Sequence, residues 1–179
     1  MKMIAIVPAR TSSKRLPNKN FKDFFGTPII EWVLDEIQKS ELFDKIVVST
    51  DIDVEHDNVV ALKRQNATYE QTVDDICLEV LEEYPDYDIA CCVYPTAYAV
   101  SADDLLKSCV TMTGANFCCS EEDGVDNGGF YWARVSEFLE QKTLMGTRKV
   151  SYKHKQVDID TVHDFARAKI DAKERGLFK

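Results

Sequence analysis

The sequence contains no apolar run close to the roughly 18 residues that a membrane-spanning helix requires. Its 7 glycines and 5 prolines among 179 residues exclude collagen-like and low-complexity chains. The hydrophobic share of 45% and the charged share of 30% are ordinary for a globular protein. Because domains usually have about 100–200 residues, we expect one domain that covers residues 1–179.

Basic residues are in the minority. Lys and Arg number 22, whereas Asp and Glu number 31, so the formal net charge is −9. This balance argues against general binding to a nucleic-acid backbone, which requires a basic face. An acidic protein can still bind one anionic ligand if its cations are concentrated in one place. Five cations do lie close together near the N-terminus: Arg10, Lys14, Arg15, Lys19 and Lys22.

The cysteines and histidines show no spacing typical of a metal or redox site. The 6 cysteines include no C-x-x-C pair, which excludes zinc-ribbon and thioredoxin-like motifs. Four of them form adjacent pairs in apolar segments, and we interpret all six as buried, reduced thiols. The short apolar run at the N-terminus ends at Pro8 without a small-residue cleavage site. It therefore indicates a buried strand rather than a signal peptide, and we expect a cytoplasmic protein with no membrane partner.

Short apolar strands alternate with helices along the chain. Strands are predicted over residues 3–7, 45–49, 88–93, 115–119, 129–133 and 149–154. Helices are predicted from Pro28, with Thr27 as N-cap, and over 54–65, 71–83, 101–112, 136–141 and 161–173, with a loop over 120–127. This alternation predicts an α/β sandwich with a largely parallel sheet. Ligand sites in such sheets lie beyond the carboxyl ends of the strands, which here precede the segments 8–20, 50–53 and 94–97.

The segment 7–20 is the strongest candidate for a ligand site. It follows the first predicted strand and contains four cations, two serines and two asparagines. Phosphate recognition uses such hydroxyl, guanidinium and ammonium donors around anionic oxygens. The segment lacks the G-x-x-x-x-G-K-[ST] pattern of a P-loop. Its composition alone fits a solvated basic loop as well as a phosphate site.

Residues 8–20 also carry the specific motif P-A-R-x-x-S-K-R-L-P-x-K-N. Further motifs follow in order: V-V-S-T-D at 47–51, Y-P-T-A at 94–97, G-G-F-Y-W at 128–132 and D-I-D-T at 158–161. Together they resemble the signature of the acylneuraminate cytidylyltransferases, the CMP-sialic acid synthetases and their relatives that activate other nine-carbon 2-keto sugar acids. The Y-P-T-A and F-Y-W versions are most similar to the pseudaminic acid branch.

The resemblance implies a fold and an activity. The fold would be a three-layer, Rossmann-like or GT-A-type nucleotidyltransferase sandwich. The activity would be a cytidylyltransferase reaction, in which CMP passes from CTP to the anomeric hydroxyl of a nonulosonic acid and pyrophosphate leaves. Because charge builds up on phosphoryl oxygens, catalysis would depend on positioning and electrostatic stabilisation. The implied partners are CTP and a nine-carbon 2-keto sugar acid, with Mg²⁺ as cofactor.

The resemblance also gives the cationic residues their expected roles. Arg10, Lys14 and Lys19 would be the catalytic cations that hold the triphosphate. The other nucleotide-binding candidates in this segment are Ala9, Ser13, Arg15 and Asn20, with Asn20 at the cytidine base.

Asp158 and Asp160 stand just before the last predicted helix. Mg²⁺ prefers hard oxygen ligands, and one or two carboxylates together with phosphates suffice to bind it. The resemblance implies that this Asp-x-Asp motif holds the metal. Without the resemblance, capping of the helix by Asp160 is the simpler interpretation.

Five further residues have weaker assignments. Tyr94 stands where the family usually has glutamine, and it fits stacking on the base and packing in the core equally well. Asp51 follows a strand and is either a ligand-facing acid or a turn residue. Asp126, Asn127 and Tyr131 are candidates for contact with the sugar.

The chain departs from the family pattern at three places. The family's Arg-Pro segment is not recognisable in R-Q-N-A-T at 64–68, and its Pro-Leu-Arg segment reads Y-A-V at 98–100, which removes a substrate-facing cation. The arm that makes the family dimer and closes over the sugar is reduced to residues 120–127. The sequence therefore leaves two oligomeric states open, a monomer and a dimer that differs from the family's. So are two other functions: an inactive nucleotide-binding homologue, or a nucleotidyltransferase for a different sugar.

Overall fold

The computed structural model describes residues 1–64 and 71–178. Its strands are β1 (Met3–Ala9), β2 (Asp23–Phe24), β3 (Thr27–Pro28), β4 (Lys45–Thr50), β5 (Val59–Lys63), β6 (Ile89–Val93), β7 (Phe117–Glu122), β8 (Val125–Arg134) and β9 (Lys149–Lys153). Its helices are α1 (Ile29–Lys39), α2 (Val73–Glu83), α3 (Ala102–Thr111), α4 (Val135–Gln141) and α5 (Val162–Glu174), with a short 3-10 turn at Lys19–Phe21. None of the helices in these two described ranges has the length and apolar character needed to cross a bilayer.

Seven strands form one sheet in the order β5-β4-β1-β6-β8-β7-β9. β8 runs antiparallel to both of its neighbours, while the other pairings in this sheet are parallel. The prediction of an α/β fold with a largely parallel sheet is confirmed. β1 lies in the interior of the sheet, so the chain that leaves its carboxyl end starts where such folds place ligands.

Helices cover both faces of the sheet because the strands are apolar on both sides. Ala5 and Val7 of β1 belong to a buried cluster with residues of α1 and α3. Ile4 and Ile6, which point the other way, belong to a second cluster with residues of α2 and α4. A third cluster forms under α5, where Phe24 is fully buried. The result is three layers, with the core divided by the sheet.

The predicted helix over 54–65 is wrong for its described part. Residues Val59–Lys63 form the edge strand β5, which pairs in parallel with β4 from Ile46 to Thr50. The free edge of β4 offers a row of backbone donors and acceptors, and β-branched residues such as Val59 and Val60 suit a strand. Pairing with a distant segment therefore decided the conformation. Gln65 lies outside the described residues.

The predicted loop over 120–127 is also wrong. β7 continues to Glu122 and β8 begins at Val125, so a tight hairpin joins them through Asp123 and Gly124. Both turn residues have positive φ angles, 52° and 82°, which is the conformation of the two-residue turn that matches strand twist. The segment was predicted as a loop because it is acidic, and the strand ends at this turn are only partly buried.

The first helix begins one residue later than predicted. Thr27 and Pro28 form β3, which pairs with β2, and Pro28 is the residue that precedes α1. Helices α2, α3 and α5 begin with capping boxes, in which a hydroxyl and a carboxylate satisfy the first backbone amides. The N-caps are Thr72, Ser101 and Thr161.

The six cysteines are unpaired, five of them buried and Cys109 half-buried. Burial raises the pKa of the Cys118 thiol to about 12, with further increases from the charges of Cys119 and Cys109. This thiol therefore stays protonated at neutral pH. The interpretation as reduced thiols agrees with the structure, with Cys109 less buried than expected.

Candidate active site

The segment 10–20, called the cationic loop below, leaves the carboxyl end of β1 and closes on itself. The amide nitrogen of Asn18 donates to Thr11 O at 3.2 Å, and the side-chain Nδ2 of Asn20 donates to Arg10 O at 2.8 Å. Asn20 is only 5% exposed. The two bonds give the loop a defined shape, so it is not a freely solvated basic segment.

Asp51, directly after β4, holds the start of the cationic loop from outside. Its Oδ1 accepts from the backbone amide of Thr11 at 2.8 Å, and its Oδ2 accepts from the Thr11 hydroxyl at 2.6 Å. Partial burial opposes ionisation of this carboxyl, but the hydrogen bonds from Thr11 and the nearby charge of Arg64 outweigh it and lower the pKa. The carboxylate is thus engaged with the loop.

Asp160, which lies near the C-terminal end of the sequence, contacts the cationic loop. Its Oδ1 lies 2.7 Å from Arg15 Nη2 and 3.2 Å from Lys19 Nζ. Lys19 Nζ also donates to Ile159 O at 2.7 Å. Asp160 does not cap α5, because Thr161 is the N-cap residue. The structure therefore brings the predicted phosphate ligands and one predicted metal ligand together.

A cavity of about 440 Å³ lies at this junction. It is lined by Arg10, Ser13, Lys14, Arg15, Lys19, Asn20 and Asp160. Every predicted nucleotide-binding residue of the cationic loop is among them, whereas Ala9, which precedes the loop, is not. Ala9 is fully buried at the end of β1, where the backbone turns into the loop.

A second cavity, of about 130 Å³, shares three of these residues. Its lining consists of Pro8, Arg10, Lys19, Asn20, Arg64, Gln71, Val73, Ile76, Tyr94, Pro95 and Thr96. Tyr94 lines this cavity and also packs against both large core clusters. Burial raises the pKa of its phenol, which stays neutral.

Arg64 is a candidate binding residue that the sequence interpretation missed. It is 9% exposed, and its guanidinium donates to Ser49 O at 3.2 Å and to the Gln71 side chain at 3.3 Å. Its buried Nε has no hydrogen-bond partner in the described part of the chain. Burial lowers the pKa of this guanidinium, while the charge of Asp51 opposes the change. In the sequence, Arg64 directly follows the residues of β5. Because that segment was predicted as a helix, the arginine was not recognised as lying at the end of a strand.

Asp158 and Asp160 flank Ile159, which is fully buried in the cluster under α5. This anchor fixes the backbone between the two carboxylates. Burial and the charge of Asp160 raise the pKa of Asp158, against the opposing effect of Lys19. A Cβ atom added at Gly128 would lie 3.0 Å from Asp158 Oδ1, so the absence of a side chain there makes room for the carboxylate.

Both aspartates carry the hard oxygen ligands that divalent cations prefer. Asp160 lines the cavity of the cationic loop, whereas Asp158 lines a different cavity, beside Val157 and Arg167. A cation bound by both would offset the negative charge of Asp160, which adds to the effect of burial in raising the pKa of Asp158. Within residues 1–64 and 71–178, no group of three or more His, Cys, Asp or Glu side chains could hold a metal by itself. The remaining ligands would therefore come from a bound phosphate and from water.

Asp126, Asn127 and Tyr131 lie in the β7–β8 hairpin. The Tyr131 hydroxyl donates to the Asp126 carboxylate at 2.7 Å, and the Gly128 amide donates to it at 3.0 Å. The Tyr131 ring lies 5.4 Å from the ring of Tyr94. Asn127 is buried, accepts from Ser120 Oγ and donates to His154 O. Its amide is thus used inside the hairpin, whereas Asp126 and Tyr131 form a polar pair beside Tyr94.

The Y-A-V segment at 98–100, where the family has a cation, is buried in the core. The Tyr98 hydroxyl donates to Asp171 at 2.6 Å and accepts from the Val157 amide at 3.1 Å. The segment therefore supports α5 and the chain that leads to the two aspartates.

Comparison with known proteins finds relatives of this chain in one family. The sequence model described as cytidylyltransferase matches residues 4–123. A pseudaminic acid cytidylyltransferase of Campylobacter jejuni is 34% identical over 60% of this chain and 52% of its own length. A Helicobacter pylori protein, named pseudaminic acid cytidylyltransferase and UDP-2,4-diacetamido-2,4,6-trideoxy-beta-L-altropyranose hydrolase, is 26% identical over 95% of this chain and 42% of its own. The chain thus spans about half the length of these relatives.

Solved structures share the fold. CMP:2-keto-3-deoxy-manno-octonic acid synthetase complexed with CTP superimposes with a TM-score of 0.77 at 16% identity, over 98% of this chain and 100% of that one. A Mycobacterium tuberculosis protein in complex with manganese has a TM-score of 0.66 at 14% identity, over 95% and 99% of the two chains. These likenesses confirm a nucleotidyltransferase fold.

Proposed function

The chain belongs to the cytidylyltransferase family, and from that premise we propose that it transfers CMP from CTP to the anomeric hydroxyl of a nonulosonic acid of sialic or pseudaminic type. One observation carries the proposal: the cationic loop and Asp160 line the same cavity. A triphosphate needs converging cations, and a metal ligand on the same wall allows the ion to reach the same phosphates. The relatives named pseudaminic acid cytidylyltransferase support the acceptor class.

The triphosphate would occupy the larger cavity. Arg10, Lys14 and Lys19 would face its oxygens, with Ser13 and Arg15 as further donors. Arg15 and Lys19 already lie within 2.7 and 3.2 Å of Asp160, so these cations and this carboxylate can act on one phosphate. Charge-assisted hydrogen bonds of this kind are strong and directional. They would stabilise the charge that develops as pyrophosphate leaves.

The cytosine base would occupy the smaller cavity. Val73, Ile76 and Pro95 supply apolar walls, and Arg64 and Gln71 supply polar groups. Cytosine presents a carbonyl acceptor, a ring-nitrogen acceptor and an amino donor, so a guanidinium and an amide are suitable partners. Tyr94 lines the same cavity and could contact the ring face.

Asp158 and Asp160 would hold a divalent cation, which we propose to be Mg²⁺, together with phosphate oxygens. When bound, such an ion neutralises charge at the reacting phosphate and lowers the pKa of a coordinated hydroxyl. The M. tuberculosis protein of the same fold is a complex with manganese, which supports a divalent ion. In the transfer itself, the anomeric oxygen bonds to the α-phosphorus, its proton passes to solvent, and the bond to the β-phosphate oxygen breaks.

The acceptor would lie against the β7–β8 hairpin. Asp126 and Tyr131 are already hydrogen-bonded to each other. The Tyr131 ring lies 5.4 Å from that of Tyr94, and the charge of Asp126 helps to raise the pKa of Asp158. The carboxylate oxygens of Asp126 and the phenol oxygen of Tyr131 suit the hydroxyl groups of a sugar.

The test is pyrophosphate release from CTP with Mg²⁺ and a panel of nonulosonic acids. Activity on at least one acid, abolished by Arg10→Ala and by Asp160→Ala, supports the enzyme. Lys107→Ala is the control, because Lys107 is an exposed cation paired with Asp103 on α3. Binding of CTP without turnover on any acid of the panel would instead favour an inactive nucleotide-binding homologue. UTP and GTP in place of CTP test the choice of base.

A further inference from the structure

Asp51 is a charged residue beside the site to which the proposed reaction gives no role. It belongs to the end of β4 and not to the cationic loop, yet both of its carboxylate oxygens are directed at one loop residue. Oδ1 accepts from the Thr11 amide at 2.8 Å, and Oδ2 accepts from the Thr11 hydroxyl at 2.6 Å. Two charge-assisted bonds to the same residue fix both its position and its orientation.

Thr11 is the residue through which such a contact can control the loop. Its carbonyl accepts from the Asn18 amide at 3.2 Å, which joins the first part of the loop to the last. Its neighbour in the chain is Arg10, which lines both cavities. A displacement of Thr11 would therefore move Arg10 and loosen the closure of the loop.

Charge provides a second connection. Arg64 lines the smaller cavity with a buried guanidinium. The charge of Asp51 favours the protonated form of Arg64, and the charge of Arg10 disfavours it. A carboxylate at this place therefore offsets the cost of keeping two cations near each other when no anionic ligand is bound.

We propose that Asp51 is a positioning residue for nucleotide binding, which holds Thr11, and through it Arg10, where the triphosphate needs them and balances the buried charge of Arg64. The inference rests on the proposed function, because it concerns the same CTP site. Asp51 contacts no substrate in this role.

The experiment is calorimetric titration with CTP and Mg²⁺ in the absence of any acceptor. Asp51→Ala removes both acceptor oxygens and the charge, so the Kd for CTP should rise about tenfold or more. Asp51→Asn keeps an oxygen for the Thr11 amide, and the rise should be smaller. Thr11→Val removes only the hydroxyl and should weaken binding by about threefold or more. Thr11→Ser keeps the hydroxyl, and its Kd for CTP should equal that of the unmodified protein.

Asp53→Ala is the matched control. Asp53 lies two residues further along the same segment, its side chain is 83% exposed, and it pairs with Lys63 at 2.7 Å. The Asp53→Ala substitution removes the same charge as Asp51→Ala but no contact with the cationic loop. The Kd for CTP should therefore stay within about twofold of that of the unmodified protein. Thermal unfolding of each variant separates loss of fold from loss of affinity. If Asp51→Ala does not fold, Asp51→Asn and Thr11→Val carry the test.

The outcomes distinguish this inference from the proposed function. If the unmodified protein does not bind CTP, both are overturned. If it binds CTP and the folded Asp51 and Thr11 variants bind equally well, only the positioning role is overturned. Equal weakening by Asp53→Ala would also overturn it, because the effect would then be one of net charge. Weaker binding in Asp51→Ala and Thr11→Val, with Thr11→Ser and Asp53→Ala unchanged, supports it.

Discussion

The nucleotide side and the acceptor side of the candidate site are built differently. On the nucleotide side, contacts join segments far apart in sequence: Thr11 bonds to Asp51, and Lys19 to Asp160. On the acceptor side, Asp126 bonds to Tyr131 within one hairpin. Convergence of distant segments requires the whole fold, whereas the Asp126–Tyr131 contact joins residues five positions apart. The difference indicates that the proposed CTP site depends on the whole fold, whereas the proposed acceptor contact depends on one hairpin.

The largest effect should come from breaking the nucleotide side at Lys19, which lines both cavities. Lys19→Ala removes a cation that also bonds to Ile159 O and Asp160. We expect turnover with CTP to fall by about 10²–10³-fold, the usual cost of losing one donor to a developing negative charge. Steady-state pyrophosphate release measures it. Lys22→Ala, in the same stretch but outside both cavity linings, should retain near-normal activity.

Gly128 lies in β8 with Asp126 and Tyr131 and is next to Asp158. Gly128→Ala would place a Cβ 3.0 Å from Asp158 Oδ1 at a φ of +64°. We expect a loss of about 1–3 kcal/mol in the free energy of unfolding from backbone strain, together with weaker binding of Mn²⁺ in the presence of CTP. Gly124→Ala is the matched control, since it has a φ of +82° but open space around the added carbon. Equal metal affinity in the two variants would contradict the assignment of Asp158.

Tyr131→Phe sharpens the comparison from the acceptor side. It removes the hydroxyl that donates to Asp126 at 2.7 Å and leaves the ring beside Tyr94. We expect the KM for the acceptor acid to rise by about three- to tenfold, as for the loss of one hydrogen bond. The KM for CTP should not change, because Tyr131 lines neither nucleotide cavity. A parallel rise in both KM values would mean that the two sides are not independent.

The smallest effect concerns pH and the segment that follows β9. His154 is 4% exposed, and burial lowers its pKa despite the opposing charge of Asp104. The unfolded chain then binds the proton more readily than the folded one, so stability is complete above the unfolded pKa of about 6.5 and is lost as pH falls below it. This residue contributes at most about 1.4 kcal/mol per pH unit. Urea unfolding at pH 5.5 and 7.5 measures the loss.

His154→Gln should reduce the difference between the two pH values. His163→Gln is the control, because His163 is exposed on α5. If both variants keep the full pH difference, other groups cause it.

Much of the fold could be predicted because the buried strands have a simple pattern. β1, β4 and β6 are short apolar runs in a chain that alternates with amphipathic helices, and alternation alone predicts a largely parallel sheet. The helix over 101–112 was also predicted, and its capping box depends on local spacing, since Ser101 and Asp104 are three residues apart. The failures are β5, which is half-exposed, and the ends of β7 and β8 at the hairpin turn, which are polar or exposed. Their conformation depends on a partner strand elsewhere in the chain, which a local pattern does not contain.

The linear order of residues was sufficient for the cationic loop, the family resemblance and the pair of late aspartates, because these depend on residue types at fixed local spacing. Tertiary structure alone decided that Asp160 meets Lys19, that Asp51 holds Thr11, and that Arg64 reaches the nucleotide side. The physical reason is distance: hydrogen bonds and ion pairs act over a few ångströms, and only folding brings residues from opposite ends of the chain within that range.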